Sequence, residues 1–404
     1  MTTRRTSAGI ALALLGLLAS APAMALITAT SYPFTTAAGV ALEDMSSGTT
    51  QLVAANLDDT ASVVTAIPFD FFYDGVRFTQ FSVNANGLAV LGPVAVTTSF
   101  DNSTGFASAT NAPKIAPYYD DMWIGTNGKV HFKVIGSAPN RKLIVEWLNE
   151  QIPRVGTGNV GAGTFQLWLF ETTGVIEFVY GSGIAVNSAN AGYSIGLQSG
   201  AATNFASVTS TTGTVSYAAA NNAQTNAIAS GTAFLFTPVV PANPTALNFT
   251  ATSAVSTTLN WTDNSSNEAG FVAYRSTDAG ATFTFVAQAA ANATSLVDGT
   301  VLANTAYDYR LVAISEGAVS GAATNSVTTP PFPASPIVST AAGGPWSVPA
   351  TWTGGVVPIS ADTVTIADGA TVTIDTAAVA FSLTIGQGAS GILEYEATTA
   401  RTLT

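Results

Sequence analysis

Apolar residues recur every second position along most of this chain, the period of a strand whose two faces meet different surroundings. In 129–134, Val130, Phe132 and Val134 share one side while Lys129, His131 and Lys133 take the other. In 142–148, Leu143, Val145 and Trp147 form an inner row. Phe165, Leu167 and Leu169 lie together in 164–170, with Trp168 and Phe170 opposite. The run 175–180 is apolar on both faces except at Glu177. A strand apolar on both faces lies between two layers, so the pattern predicts a sandwich rather than a single sheet. Asn86-Gly87, between 81–83 and 88–91, predicts a hairpin turn, because both residue types accept positive φ. No long segment repeats with the 3.6-residue period of a helix.

The last segment has a different rhythm. Short apolar triplets (Val364–Ile366, Val372–Ile374, Leu383–Ile385, Ile392–Leu393) recur between Gly, Asp and Ala turns from Trp346 onward. That is the pattern of a right-handed parallel β-helix, whose coils bury their inner row only against the next coil. The few coils present predict that the run continues beyond Thr404 and that 346–404 is the least stable part of the chain.

Composition agrees with an all-β reading. Charged residues make up 9% of the 404, against roughly 25% in an average soluble protein, and Ala, Thr, Ser and Gly take their place. The length predicts two or three domains. Residues 1–25 read as an export signal: Arg4 and Arg5 come first, Ala8–Leu18 is apolar, and Ala23-Met24-Ala25 is a cleavage site. No later apolar stretch is long enough to span a bilayer. Removing Arg4 and Arg5 takes the net charge from −12 to −14. An acidic surface repels phosphate, which argues against nucleic acid and anionic membranes as partners. The chain has no cysteine, so an exported form relies on core size instead of disulfides, as large bacterial β-domains do.

Several motifs resemble known families. Tyr32–Phe34, Phe69–Gly75 (FDFFYDG), Val83–Gly92, Ile115–Trp123 (IAPYYDDMW), Leu143–Trp147, Thr164–Glu171 and Ile176–Gly181 together resemble the nidogen-like pattern. The resemblance implies a jelly-roll-like β-sandwich over 26–237, extracellular, adhesive and without enzyme activity. After a Pro-rich linker at 238–244, residues 245–329 resemble a fibronectin type III domain, an immunoglobulin-like sandwich. Trp261 matches that family's core tryptophan, and Leu302 with Tyr307 its tyrosine corner. A second Pro-rich linker, 330–345, leads to Trp346 and Trp352, which resemble the entry to β-helix domains of bacterial surface proteins. The ring pair is expected to cover the open end of the first coil.

Candidate chemistry is sparse. His131 is the single histidine, so with no cysteine a conventional zinc site is excluded, and a Ser-His-Asp arrangement would need His131. Its place in the polar row predicts a solvated surface residue. Asp58-Asp59 and Asp120-Asp121 are sequence neighbours, which point to opposite faces of a strand and form no ready acid pair. Asp121 and Asn127 are candidate calcium ligands, although the usual calcium-loop spacing is absent. Tyr119, Asp120 and Trp123 are candidate sugar contacts, weighed against simple core packing. No catalytic residue and no other cofactor is predicted. The chain reads as a secreted or cell-surface, non-catalytic adhesion or matrix protein meeting an extracellular protein or polysaccharide, with the fibronectin-like domain as spacer. The alternative is the carbohydrate-binding front of a polysaccharide-degrading enzyme whose β-helix lies beyond residue 404.

Overall fold

In the computed structural model the alternating rows become two facing antiparallel sheets. The structure describes residues 32–185, 192–200, 203–331, 335–386, 388 and 390–404, so the export signal expected at 1–25 lies outside the described residues. One seven-stranded sheet runs in the order Phe34–Ala37, Ala233–Phe236, Ile176–Tyr180, Gly163–Phe170, Lys142–Gln151, Trp123–Ile135, Thr50–Val53. The other runs Thr214–Ser216, Phe205–Thr209, Ser194–Gln198, Lys114–Tyr119, Ala89–Leu91, Val76–Val83, Thr65–Tyr73. Val130, Leu143, Val145, Trp147, Phe165, Leu167, Leu169, Ile176 and Phe178 all enter the shared core, as their alternation predicts. Trp147 stacks on Phe165 with ring centroids 5.2 Å apart.

Loops cover the outer faces as well. Met45 packs with Ile144, Trp168 and Val179 on the back of the first sheet. Phe106 and Val96 pack with Leu88, Val90, Ala116 and Tyr119 on the back of the second. The turn at Asn86-Gly87 is wider than a two-residue hairpin. Val83 pairs with Ala89, and the Asn84 side chain accepts hydrogen bonds from the backbone N–H of Asn86 and Leu88. Of the two turn residues only Gly87 takes positive φ, +75°, and a Cβ there would lie 1.7 Å from the Tyr118 carbonyl oxygen.

A second sandwich follows, with sheets Thr245–Thr250, Thr257–Thr262, Ser295–Asp298 and Thr284–Ala290, Gly270–Ser276, Ala306–Ile314, Ala323–Thr328. This three-plus-four strand order is that of a fibronectin type III sandwich. Trp261 is buried against Phe271 at 5.2 Å. The Tyr307 hydroxyl accepts the Leu302 backbone N–H at 2.7 Å, closing the tyrosine corner.

The two sandwiches are not independent. Phe72 of the first packs with Ala269, Val272, Tyr274, Val312 and Ile314 on the outer face of the second. Polar groups close around this patch. The Tyr274 hydroxyl donates to Asp70 at 2.8 Å, Gln288 donates to the Gly75 carbonyl at 2.8 Å, and the N–H of Gly75 reaches the Glu316 carbonyl at 3.0 Å. Two glycines allow the backbones to approach. A Cβ on Gly75 would lie 2.6 Å from the Ala269 Cβ, and one on Gly174 would lie 2.1 Å from the Gly317 carbonyl oxygen. The Pro-rich linker is also tied down, because Val239 donates to Glu316 and accepts from Asn267.

In the C-terminal segment the strands pair in parallel. Pro336–Val338, Thr363–Ile366 and Ser382–Ile385 form one ladder; Gly344–Pro345, Thr371–Ile374 and Ile392–Tyr395 form the other. Val364, Ile366, Val372 and Ile374 are buried between the ladders. Trp346 and Trp352 join that core edge to face at 4.9 Å, and the Trp352 indole N–H donates to the Trp346 carbonyl. The last pair of strands leaves Ile385, Ile392 and Tyr395 exposed.

The docked interface predicts that the two sandwiches unfold together. Phe72→Ala removes the ring at its centre, at a cost of about 3 kcal/mol. A calorimetric scan is expected to show one transition for the two sandwiches in the parent chain and two in the variant, with new protease cleavage within 238–244.

Candidate functional site

Two polar clusters on the first sandwich hold residues singled out from the sequence. The first is around His131, which is only 1% exposed. This corrects the expectation of a solvated surface residue: alternation assigns His131 to the outer row, and residues 43–49 then cover that row. Its Nε2 lies 2.7 Å from Glu146 Oε2, and its Nδ1 lies 3.0 Å from the Thr49 hydroxyl. Gln166 donates to the second Glu146 oxygen at 2.7 Å and to the Glu43 carbonyl at 2.9 Å, while its own Oε1 accepts from Trp168 and from the Glu43 N–H. Lys142 pairs with Glu43 and lies 3.7 Å from the Trp168 ring centroid. Hydroxyl, imidazole and carboxylate are thus in line, but the imidazole is sealed and both carboxylate oxygens are engaged. The arrangement holds the covering segment to the sheet.

The second place is the rim where 56–59 runs beside 121–125. Asn56 N–H donates to the Gly125 carbonyl and Ile124 N–H to the Leu57 carbonyl. These contacts bring Asp58, Asp59 and Asp121 together, with one oxygen of each within 4.8 Å of the others. Arg154 sits among them, paired with Asp121 and with Asp58 at 2.5 Å, and its guanidinium lies 5.4 Å from the Trp123 ring. Asn86 donates to Asp59 at 2.9 Å. Burial and the neighbouring Asp59 push the Asp58 carboxyl up, and Arg154 opposes this. A calcium ion would find three carboxylates here, but Arg154 already supplies positive charge to two of them. Asn127, the other expected ligand, is elsewhere: its amide exchanges hydrogen bonds with the Gly161 backbone. That pairing corrects the expected Asp121–Asn127 site. Asp58 and Asp59, the partners sequence reasoning missed, come from a loop distant in sequence.

The candidate sugar contacts separate. Tyr119 is 1% exposed in the core behind the second sheet, and its hydroxyl donates to the Asp101 carbonyl at 2.9 Å. Asp120 is fully buried, accepts the Asp121 N–H at 2.9 Å, and is pushed up to about 7 by burial first and by Asp121. Neither presents a surface to a sugar, which corrects both assignments. Trp123 alone of the three reaches the rim, half-buried beneath Arg154.

One buried acid has no visible counterpart. Glu150 is fully buried, and among the described residues neither carboxyl oxygen has a hydrogen-bond partner. A bulge after Trp147 shifts the strand register just before it. Burial pushes its carboxyl well above the usual range, which favours the protonated form. A raised folded-state value costs stability above the unfolded value, where the unfolded chain ionises and the folded one does not. Glu150→Gln is therefore expected to raise the melting temperature at neutral pH, with the gain vanishing as pH falls below about 4. At the rim, Arg154→Gln leaves three carboxylates facing one another without their cation. It is expected to cost about 1 kcal/mol near neutral pH, discounted for partial exposure, and less at acid pH as the carboxyls protonate. Chemical denaturation at both pH values checks each.

A family model described as NIDO related matches residues 31–238, just over half of the chain. No curated protein matches. Similar solved structures include a fibronectin type III domain of human collagen XX (26% identity, covering 22% of this chain and 91% of that one, TM-score 0.20). An Fn3-like protein from Clostridium thermocellum has 28% identity over 21% of this chain and 90% of its own, with a TM-score of 0.19. The match therefore falls on the sandwich that carries both the sealed histidine and the acidic rim, and the chain belongs to the NIDO-related family.

Proposed function

We propose that this chain is an extracellular, non-catalytic protein of adhesion or matrix type. In this reading residues 1–25 direct export, and the NIDO-related sandwich with its docked partner forms one presenting unit. The parallel ladders at the C-terminus support reading 346–404 as the opening coils of a β-helix. Among the described residues no helix is long and apolar enough to cross a membrane.

The observation that carries the non-catalytic reading is the burial of His131. It is the chain's sole imidazole, it is sealed within the network of Glu146, Thr49 and Gln166, and there is no cysteine to replace it. General acid–base work needs a group within reach of the substrate. The bidentate Arg141–Glu171 pair and the docked second sandwich support a unit that keeps its shape while bound to a large partner.

The test is retention of the mature chain on a panel of extracellular matrix proteins and polysaccharides. Saturable retention on at least one is expected. No retention on any member, or a measurable hydrolysis or lyase rate on a polysaccharide, would overturn the reading.

A further inference from the structure

Where the two sandwiches meet, they enclose an open cleft of about 750 Å³. That volume falls within the roughly 300–1,000 Å³ of small-ligand sites. Its charged lining is three arginines, Arg77, Arg141 and Arg310, against two acids, Asp70 and Glu171. Arg77 pairs with Asp70 at 2.6 Å, and Arg141 grips both oxygens of Glu171. Among the described residues Arg310 makes no ion pair, and its Nε is buried without a hydrogen-bond partner. Its guanidinium is nevertheless fixed in place, 4.8 Å from the Tyr274 ring centroid and 5.0 Å from that of Phe283. Tyr274 is itself anchored on Asp70. In a chain of net charge −12, this is a preorganised and unneutralised cation at the wall of a cleft.

We propose that this cleft binds an acidic saccharide through one uronic-acid carboxylate on Arg310. A planar guanidinium matches a carboxylate in two parallel hydrogen bonds. The cleft has a single surplus positive charge, and Asp70 and Glu171 repel a second anion placed nearby. The geometry therefore selects a carboxylate flanked by neutral groups over a run of phosphates or acidic side chains. Asp70 and Glu171 keep lone pairs that accept sugar hydroxyls, while the Phe285 ring at the rim is occupied by the Arg77 guanidinium, 4.3 Å from its centroid. Both sandwiches contribute, so the site exists only while they are docked. The proposal rests on the extracellular-polymer part of the reading above and names the chemistry of that polymer.

Titration calorimetry of the mature chain against a glucuronic-acid-bearing xylotetraose tests this. Compared with the free acid, the methyl ester and the unsubstituted xylotetraose are each expected to bind about tenfold or more weaker. Arg310→Met is expected to lose a similar factor, and Arg310→Lys, which keeps the charge without the planar fork, to fall between. The ester comparison needs no variant and so stands even if Arg310→Met unfolds the interface. Equal binding of acid and ester, tighter binding of hexaglutamate, or no binding of the acid overturns the proposal. If the acid fails while another extracellular polymer is retained, this inference alone falls; if nothing is retained, the broader reading falls with it.

Discussion

Two glycine contacts set the relation between the sandwiches. Gly75 meets Ala269 and Gly174 meets Gly317 at distances that leave no room for a side chain. Such contacts are short-ranged and do not tolerate sliding, because an ångström of displacement meets either a clash or a gap. They are placed where Phe72 can be buried by Val272, Tyr274, Val312 and Ile314. The burial supplies the favourable energy, and the glycines fix its geometry. The cleft beside this contact, the tied-down 238–244 segment and the hydrogen bonds through Glu316 all follow from that one arrangement.

The same logic explains why so few outer faces are wet. A chain with 9% charged residues has little polar surface with which to cover two large sheets. Loops take that role: residues 40–49 lie over one sheet and residues 96–107 over the other. Polar groups trapped beneath a cover must find partners, and His131, Glu146 and Gln166 do so through one connected network. Glu150 has none among the described residues, and burial favours its neutral form, a local cost that the surrounding core tolerates.

Much of the fold was legible because strand alternation is a local signal. The inner rows at Leu143, Val145 and Trp147 and at Phe165, Leu167 and Leu169 follow from period alone, and Trp261 and Tyr307 follow from family pattern. Alternation names a face but not what covers it, which is why His131 was misplaced. The acidic rim depends on a loop at Asp58-Asp59 returning to Asp121, a long-range contact with no periodic trace. Tyr119 and Asp120 were misread because the bend after them turns only Asp121 and Trp123 toward the rim. The docking did leave a signal. Val272, Tyr274, Val312 and Ile314 are apolar on the face of the second sandwich that points away from its own core, and a lone sandwich would have no use for them.

The shared cleft and the cooperative unfolding both require the two sandwiches to form one rigid body. Residual dipolar couplings of backbone amides, measured on the mature chain in a weakly aligning medium, report the orientation of each sandwich separately. A single alignment tensor that fits both sandwiches in their docked orientation is the predicted result. Two tensors of different magnitude or direction would show independent tumbling and would contradict it.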